Sequence, residues 1–190
     1  MDMTPAYLAE QVDVITRSTP YARAITDPLR YVNVKDFCRG FDKVLDVGCS
    51  GYAPIFFGAT HALDVHELAG HLLRANGYAG EFVVGSCDAL PFPDKSFPCV
   101  VCSEVIEHLP DLAAVEKTFQ ELDRVGTSWL LTTPCKSIPE KTHRHLFLEP
   151  QVKLWAEKYG ACYHAVGLWW FIFKRSDGWV PTHNPELLKW

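Results

Sequence analysis

The sequence predicts an α/β fold, a largely parallel sheet with helices on both faces. Three observations predict it. From Lys43 onward, short apolar runs that read as strands alternate with stretches of helical periodicity, as strand–helix–strand units do. Caps and breakers fall between these elements: Asp111 precedes one helical stretch, Pro134 ends one strand and Gly160 stops another helix. A chain of 190 residues, 48% of them hydrophobic, has the material for one domain with a substantial core.

In chain order, Tyr7, Leu8, Val12 and Ile15 recur at helical spacing behind Thr4-Pro5, a cap and first turn. Residues 4–18 therefore read as an amphipathic helix. A second helical piece occupies about 21–38 and is interrupted at Pro28. Val44–Val47 is a first strand and His61–Leu63 a second, followed by a helix around 66–75 and a third strand over 81–85. Val100–Cys102 belong to a fourth strand, with Pro98 tolerable only at its beginning. Leu112–Val125 is a helix with Val115, Phe119 and Leu122 on one face and Asp111 as N-cap. Trp129–Thr132 is a fifth strand, Pro150–Tyr159 a helix, and 161–167 and 169–174 two closing strands. The run Leu168–Phe173 is apolar on both alternating faces. It fits an interior strand, or an edge strand covered by a second subunit in a homodimer.

The formal net charge of −5 argues against a broad nucleic-acid surface, which needs a basic field to neutralise phosphates. No apolar run is long enough to span a membrane. The Met1 end, with Asp2, Glu10 and Asp13, lacks the basic, apolar, small-residue succession of a signal peptide. Seven dispersed cysteines, an odd number, suit a reducing compartment, so a cytoplasmic protein is expected. Cys99 and Cys102 have CxxC spacing but sit inside a strand, where positions i and i+3 face opposite sides. They read as small core residues, not as ligands of a shared metal.

The chemistry is carried by Val44-Leu45-Asp46-Val47-Gly48-Cys49-Ser50-Gly51 and by three segments at telling distances beyond it. Asp64 ends the next apolar run, Asp88 follows the third strand, and Ser103-Glu104-Val105-Ile106-Glu107-His108-Leu109-Pro110 follows the fourth. In order and spacing these elements resemble the class I S-adenosylmethionine (SAM) methyltransferases over roughly residues 40–175. The resemblance implies a Rossmann-like, mostly parallel seven-stranded sheet with an antiparallel C-terminal strand. It also implies that the chain is a single methyltransferase domain, 1–190, in which 1–38 form a helical lid with Tyr7 and Tyr21 as contacts.

In an open α/β sheet, ligands bind beyond the carboxyl ends of the strands, where strand order reverses. The first strand delivers Asp46 and Gly48 there, and glycine lets the backbone approach a ligand closely. In the resembling family this turn, here Gly48, Cys49, Ser50 and Gly51, lies under the methionine part of SAM, and the acid at Asp46 orients its amino group. A carboxylate at Asp64 can accept hydrogen bonds from both ribose hydroxyls. Asp88 matches the position that meets the exocyclic amine of adenine, with Cys87, Ala89 and Leu90 lining the ring; Val65 and Ser103 complete the expected donor contacts. Pro91-Phe92-Pro93-Asp94-Lys95-Ser96-Phe97 matches a recurring family phrase, although Pro98 replaces the acid common after it and Tyr52 stands where a small residue is common. Nine residues, 52–60, separate Gly51 from the second strand, so the intervening helix should be short or missing. A nicotinamide reading fails, because the G-x-G-x-x-G positions read Gly48, Ser50 and Ala53.

Methyl transfer from a sulfonium is an in-line displacement, so the protein must mainly align the partners and exclude water. A hydroxyl acceptor benefits from a base, and His108 follows the fourth strand directly. Glu104, Glu107 and His108 also resemble the E-x-x-E-H phrase of ubiquinone-pathway O-methyltransferases and small-RNA 2′-O-methyltransferases. With His145 they could hold a divalent metal, although similar phrases occur in metal-free members, and no metal is the favoured reading. Lys136, Lys141, His143, Arg144 and His145 form either a solvated loop or a hold for a small anionic acceptor. The expectation is a SAM-dependent methyltransferase acting on a small-molecule acceptor, with oxygen as the acceptor atom. Its rivals are a SAM-binding regulatory or partner protein without transferase activity, and a metal-dependent RNA 2′-O-methyltransferase.

Overall fold

The computed structural model describes residues 28–138 and 141–183; the helix expected over 4–18 and the contacts Tyr7 and Tyr21 lie outside them. A helix α1 (Pro28–Cys38) leads into strand β1 (Val44–Val47), a short helix α2 (Ala53–Phe57) and strand β2 (His61–Asp64). Helix α3 (Glu67–Ala75), strand β3 (Glu81–Val84) and strand β4 (Phe97–Ser103) follow, then a 3₁₀ turn (Ile106–His108). Helix α4 (Leu112–Val125), strand β5 (Gly126–Pro134), helix α5 (Glu149–Tyr159), strand β6 (Cys162–Val166) and strand β7 (Trp169–Lys174) complete the order.

The seven strands form one sheet in the order β3-β2-β1-β4-β5-β7-β6. Strands β1 to β5 pair in parallel, while β7 runs antiparallel to both β5 and β6. The expected seven-stranded, mostly parallel sheet is therefore the fold. β7 lies between β5 and β6, so the apolar run Leu168–Phe173 is an interior strand and no longer points to a homodimer. α1 covers the part of the expected helical piece 21–38 that lies within the described residues; residues 21–27 lie outside them. The sequence expectation of a short helix after the first loop holds: α2 has five residues and ends at Gly58 in the left-handed conformation.

Strand alternation divides the core into two layers. On one face, Val100 and Cys102 of β4 and Trp129 and Leu131 of β5 meet Val115, Phe119 and Leu122 of α4 and Trp155 of α5. On the other, Cys99 and Val101 of β4 and Phe171 and Phe173 of β7 meet Tyr31, Val34 and Phe37 of α1. Cys99 and Cys102 thus sit in opposite layers, as their spacing in a strand requires. Asp111 caps α4 by accepting from the Ala114 N–H at 2.9 Å.

Candidate donor and acceptor site

The sheet order reverses between β1 and β4, and that crevice at the carboxyl ends of the strands is where an open α/β sheet takes its ligand. After β1 the chain turns through three residues with positive φ: Gly48 (+75°), Ser50 (+50°) and Gly51 (+128°). Glycine at 48 is a steric requirement, since a Cβ there would stand 2.3 Å from Val105 Cγ2. β2 holds the turn down. The Leu63 carbonyl accepts from Gly48 N at 2.8 Å, and the Asp64 carboxylate accepts from Ser50 N at 3.0 Å and from His66 N at 2.9 Å. Asp64 therefore shapes the loop with one lone pair of each oxygen, and each oxygen keeps a second for a ribose hydroxyl.

Asp46, Gly48, Ser50, Ser103, Glu104 and His108 line one cavity of about 230 Å³, together with Arg30 from α1. A larger depression of about 550 Å³ lies at the opposite strand ends, around His61 and Glu81, away from these groups. Asp46 is 1% exposed, and its Oδ2 has no hydrogen-bond partner. Burial pushes its carboxyl well above the usual carboxylate range; Asp64 adds to the rise and Arg30 opposes it. An orphaned, buried carboxylate oxygen on a cavity wall suits an ammonium group.

Sequence reasoning misses Arg30. It occupies the buried stripe of α1 with Val34, Phe37 and Cys38, and a cation at an apolar helix position is the available signal. Its guanidinium lies over the Tyr31 and Trp169 rings at 4.7 and 4.9 Å and donates to Ser103 Oγ at 2.8 Å. Ser103 Oγ lies 2.8 Å from Thr132 Oγ1, which donates to Glu104 Oε1 at 3.0 Å. Since Ser103 receives from Arg30 and Thr132 gives to Glu104, the chain runs one way, from guanidinium to carboxyl.

Glu104 holds φ +61° at the end of β4, a conformation a non-glycine residue adopts at a cost. Burial pushes its carboxyl well above the usual range, with Glu107 adding and Arg30 opposing. Burial also raises Glu107, against the help of His108 and Thr133. Glu107 is fully buried, accepts from Thr133 Oγ1 at 3.2 Å, and its Oε1 has no hydrogen-bond partner. Two acids buried this close disfavour ionising together, so the pair resists carrying two negative charges.

His108 Nδ1 lies 3.2 Å from the Thr142 carbonyl, which can only accept. Nδ1 therefore carries the hydrogen, and Nε2 is the basic nitrogen of the neutral ring. The ligand atoms that converge are those of Glu107, His108 and His143, within 4.8 Å of one another. This differs from the set Glu104, Glu107, His108 and His145: the His145 ring is turned to Phe147, and its Nε2 lies 2.9 Å from the Leu109 carbonyl.

The remaining expected donor residues divide. Cys49 packs with Ala62, Ala69 and Leu73, while Cys87 and Leu90 are in the main core, so these three offer a ligand backbone and not side chains. Gly51 lies against Leu72; Asp88 is half-buried and hydrogen-bonded by Ser86; Ala89 and Val65 are exposed. The segment 88–94 is clamped by α4: Glu121 accepts from Leu90 N at 2.7 Å, and Arg124 donates to the Leu90 and Phe92 carbonyls and to Asp94.

Residues 45–128 match the family described as a methyltransferase domain. The phosphoethanolamine N-methyltransferase 1 of Arabidopsis thaliana is 32% identical over 105 residues, which are 50% of this chain and 21% of that protein. The uncharacterized methyltransferase YcgJ of Bacillus subtilis is 30% identical over 98 residues, 46% of this chain and 38% of that one. The chain thus spans well under half the length of these curated relatives. The crystal structure of a SAM-dependent methyltransferase from Aquifex aeolicus superposes with a TM-score of 0.61 at 17% identity, covering 90% of this chain and 98% of that one. Among the described residues, no helix is long and apolar enough to cross a membrane. The match to a methyltransferase domain thus covers less than half of the chain, and the strand order and the glycine turn at the switch point give the chain the fold of the solved methyltransferase on which it superposes.

Proposed function

We propose that this chain transfers the methyl group of SAM to a small-molecule acceptor at an oxygen atom. The observation that carries the reading is Asp46 Oδ2, a buried carboxylate oxygen without a partner on the wall of the cavity beneath Gly48. The methionine end of SAM is an amino acid, and the cavity offers it a carboxylate at Asp46 and a guanidinium at Arg30. Asp64 is positioned to receive the ribose hydroxyls and the clamped segment after Asp88 the adenine. When bound, the donor supplies a methyl group already activated on a sulfonium sulfur.

The residues of this chain then have three tasks. Asp46 and Arg30 would hold the amino-acid end of the donor in the cavity that Glu104 and His108 also line. His108 Nε2 accepts the acceptor hydroxyl's proton, while the Thr142 carbonyl holds the ring in the required tautomer. The Glu107 carboxyl beside His108 favours the imidazolium that forms.

Production of S-adenosylhomocysteine with a panel of hydroxyl and amine acceptors tests the reading. His108→Gln should reduce turnover by about 10²–10⁴-fold, the usual worth of a positioned base, and leave SAM affinity nearly unchanged. Undiminished turnover would make His108 structural. A nitrogen acceptor is the second reading, favoured by the relative named as a phosphoethanolamine N-methyltransferase. The position of the methyl group in the product separates the two.

A further inference from the structure

The loop after β5 builds a second cavity, of about 270 Å³, whose lining includes Lys136, Ser137, His143, Arg144 and His145. Among the described residues that line it there is no carboxylate, in a chain whose formal net charge is −5. Two permanent cations and two imidazoles are therefore gathered around one concavity against the balance of the molecule.

The loop is pinned at both ends. Cys135 N donates to the Leu168 carbonyl at 2.8 Å where the loop leaves the sheet. At the return, Arg144 N and His145 N both donate to the Glu107 carbonyl, at 2.8 and 3.2 Å, and Phe147 is buried behind them. Arg144 is thus presented from backbone fixed to the turn that carries His108. The His143 ring, in the lining of the basic cavity, meets edge-on at 4.8 Å the His108 ring, in the lining of the cavity that holds Asp46 and Glu104. Glu107, whose carboxylate comes within 4.8 Å of ring nitrogens of His108 and His143, does not line the basic cavity.

We infer that the methyl acceptor carries an anionic group, a phosphate monoester or a carboxylate, which Lys136 and Arg144 hold while its nucleophilic atom lies at His108. The inference rests on the methyltransferase reading and specifies its acceptor. Arg144 supplies a planar fork suited to two anion oxygens, and Lys136 a point charge.

The test uses the full chain saturated with S-adenosylhomocysteine and two probes, inorganic phosphate and acetate, followed by titration of the histidine NMR signals. One or both probes should bind at millimolar concentration and shift the His143 and His145 signals. The double variant Lys136→Ala/Arg144→Ala alters exposed side chains and should bind the probe at least about tenfold more weakly, with SAM affinity unchanged. Binding of phosphate alone identifies a phosphate monoester, and binding of acetate a carboxylate. Failure of both probes in a wild-type protein that binds SAM, or equal probe binding by the double variant, overturns the inference. Failure of the wild-type protein to bind SAM overturns the methyltransferase reading instead, while the probe titration still decides whether the anion site exists.

Discussion

Asp46→Asn should make the ligand-free protein more stable and a poorer binder of SAM. Asp46 is 1% exposed, its Oδ2 has no partner, and burial together with Asp64 raises its carboxyl well above the ordinary value. For an acid whose folded-state pKa is raised, stability is fully present below the unfolded value of about 3.9 and is lost as pH rises through the folded value. Over that window each such group costs about 1.4 kcal/mol per pH unit. Glu104 has the same sign. Glu121 and Asp123, whose carboxyls are lowered, act with the opposite sign in more acidic solution, and His61, lowered by burial, does so between about pH 5 and 7, so wild type and variant are compared at each pH. Asparagine keeps the shape and removes the charge. Its amide stays unpaired where Oδ2 was, so the gain is the charge penalty alone, about 1.4 kcal/mol per pH unit, at about 2–4 °C in Tm per kcal/mol, and larger at pH 8 than at pH 5. The same substitution replaces a charge-assisted hydrogen bond to the donor's ammonium with a weaker one, a loss of about 1.5–3 kcal/mol or roughly 10- to 140-fold in SAM affinity. Thermal denaturation across that pH range and calorimetric titration with SAM provide both readings. An Asp46→Asn protein that is less stable than wild type and binds SAM equally well would overturn the role given to Asp46.

Three further outcomes are expected. Asp64→Ala orphans the Ser50 and His66 N–H groups and removes the ribose acceptor, so it should lower both stability and SAM affinity, each by about 1–3 kcal/mol; a folded variant with unchanged affinity would remove Asp64 from the donor site. Gly48→Ala places a Cβ against Val105 at positive φ and should destabilise by about 1–3 kcal/mol. Adding Val105→Ala should recover only the steric part of that loss, and full recovery would mean that the backbone conformation is not strained. Turnover should be the same with and without EDTA, whereas loss on chelation with recovery on adding Mg²⁺ or Mn²⁺ would assign Glu107, His108 and His143 as metal ligands.

The parallel strands were legible because each is a short apolar run bounded by a charge, glycine or proline, and β1 to β5 all fall where those runs do. β7 was legible as apolar on both faces, but whether it was interior or covered by another copy depended on β6, whose exposed Cys162, His164 and Ala165 do not announce an edge partner. Gly48 was legible as a turn; its steric cause, Val105, lies far along the chain in a different loop. Arg30 was missed because helical periodicity separates polar from apolar faces, and a cation facing inward breaks the rule used to find the face. The same limit applies to Glu104 and Glu107. Their spacing suggested a shared ligand, while the rise of both carboxyls comes from burial that only the packed structure supplies. Cys49 and Cys87 lie within motif segments, yet strand and loop geometry turn both thiols into the core.

The functional reading depends above all on the crevice at Gly48, Asp46 and Asp64 being a SAM site. Calorimetric titration of the purified protein with SAM and with S-adenosylhomocysteine, with NAD as control, decides this. Micromolar binding of the first two and none of NAD is the expected result. A folded protein that binds neither SAM nor S-adenosylhomocysteine would show that the crevice is not a donor site.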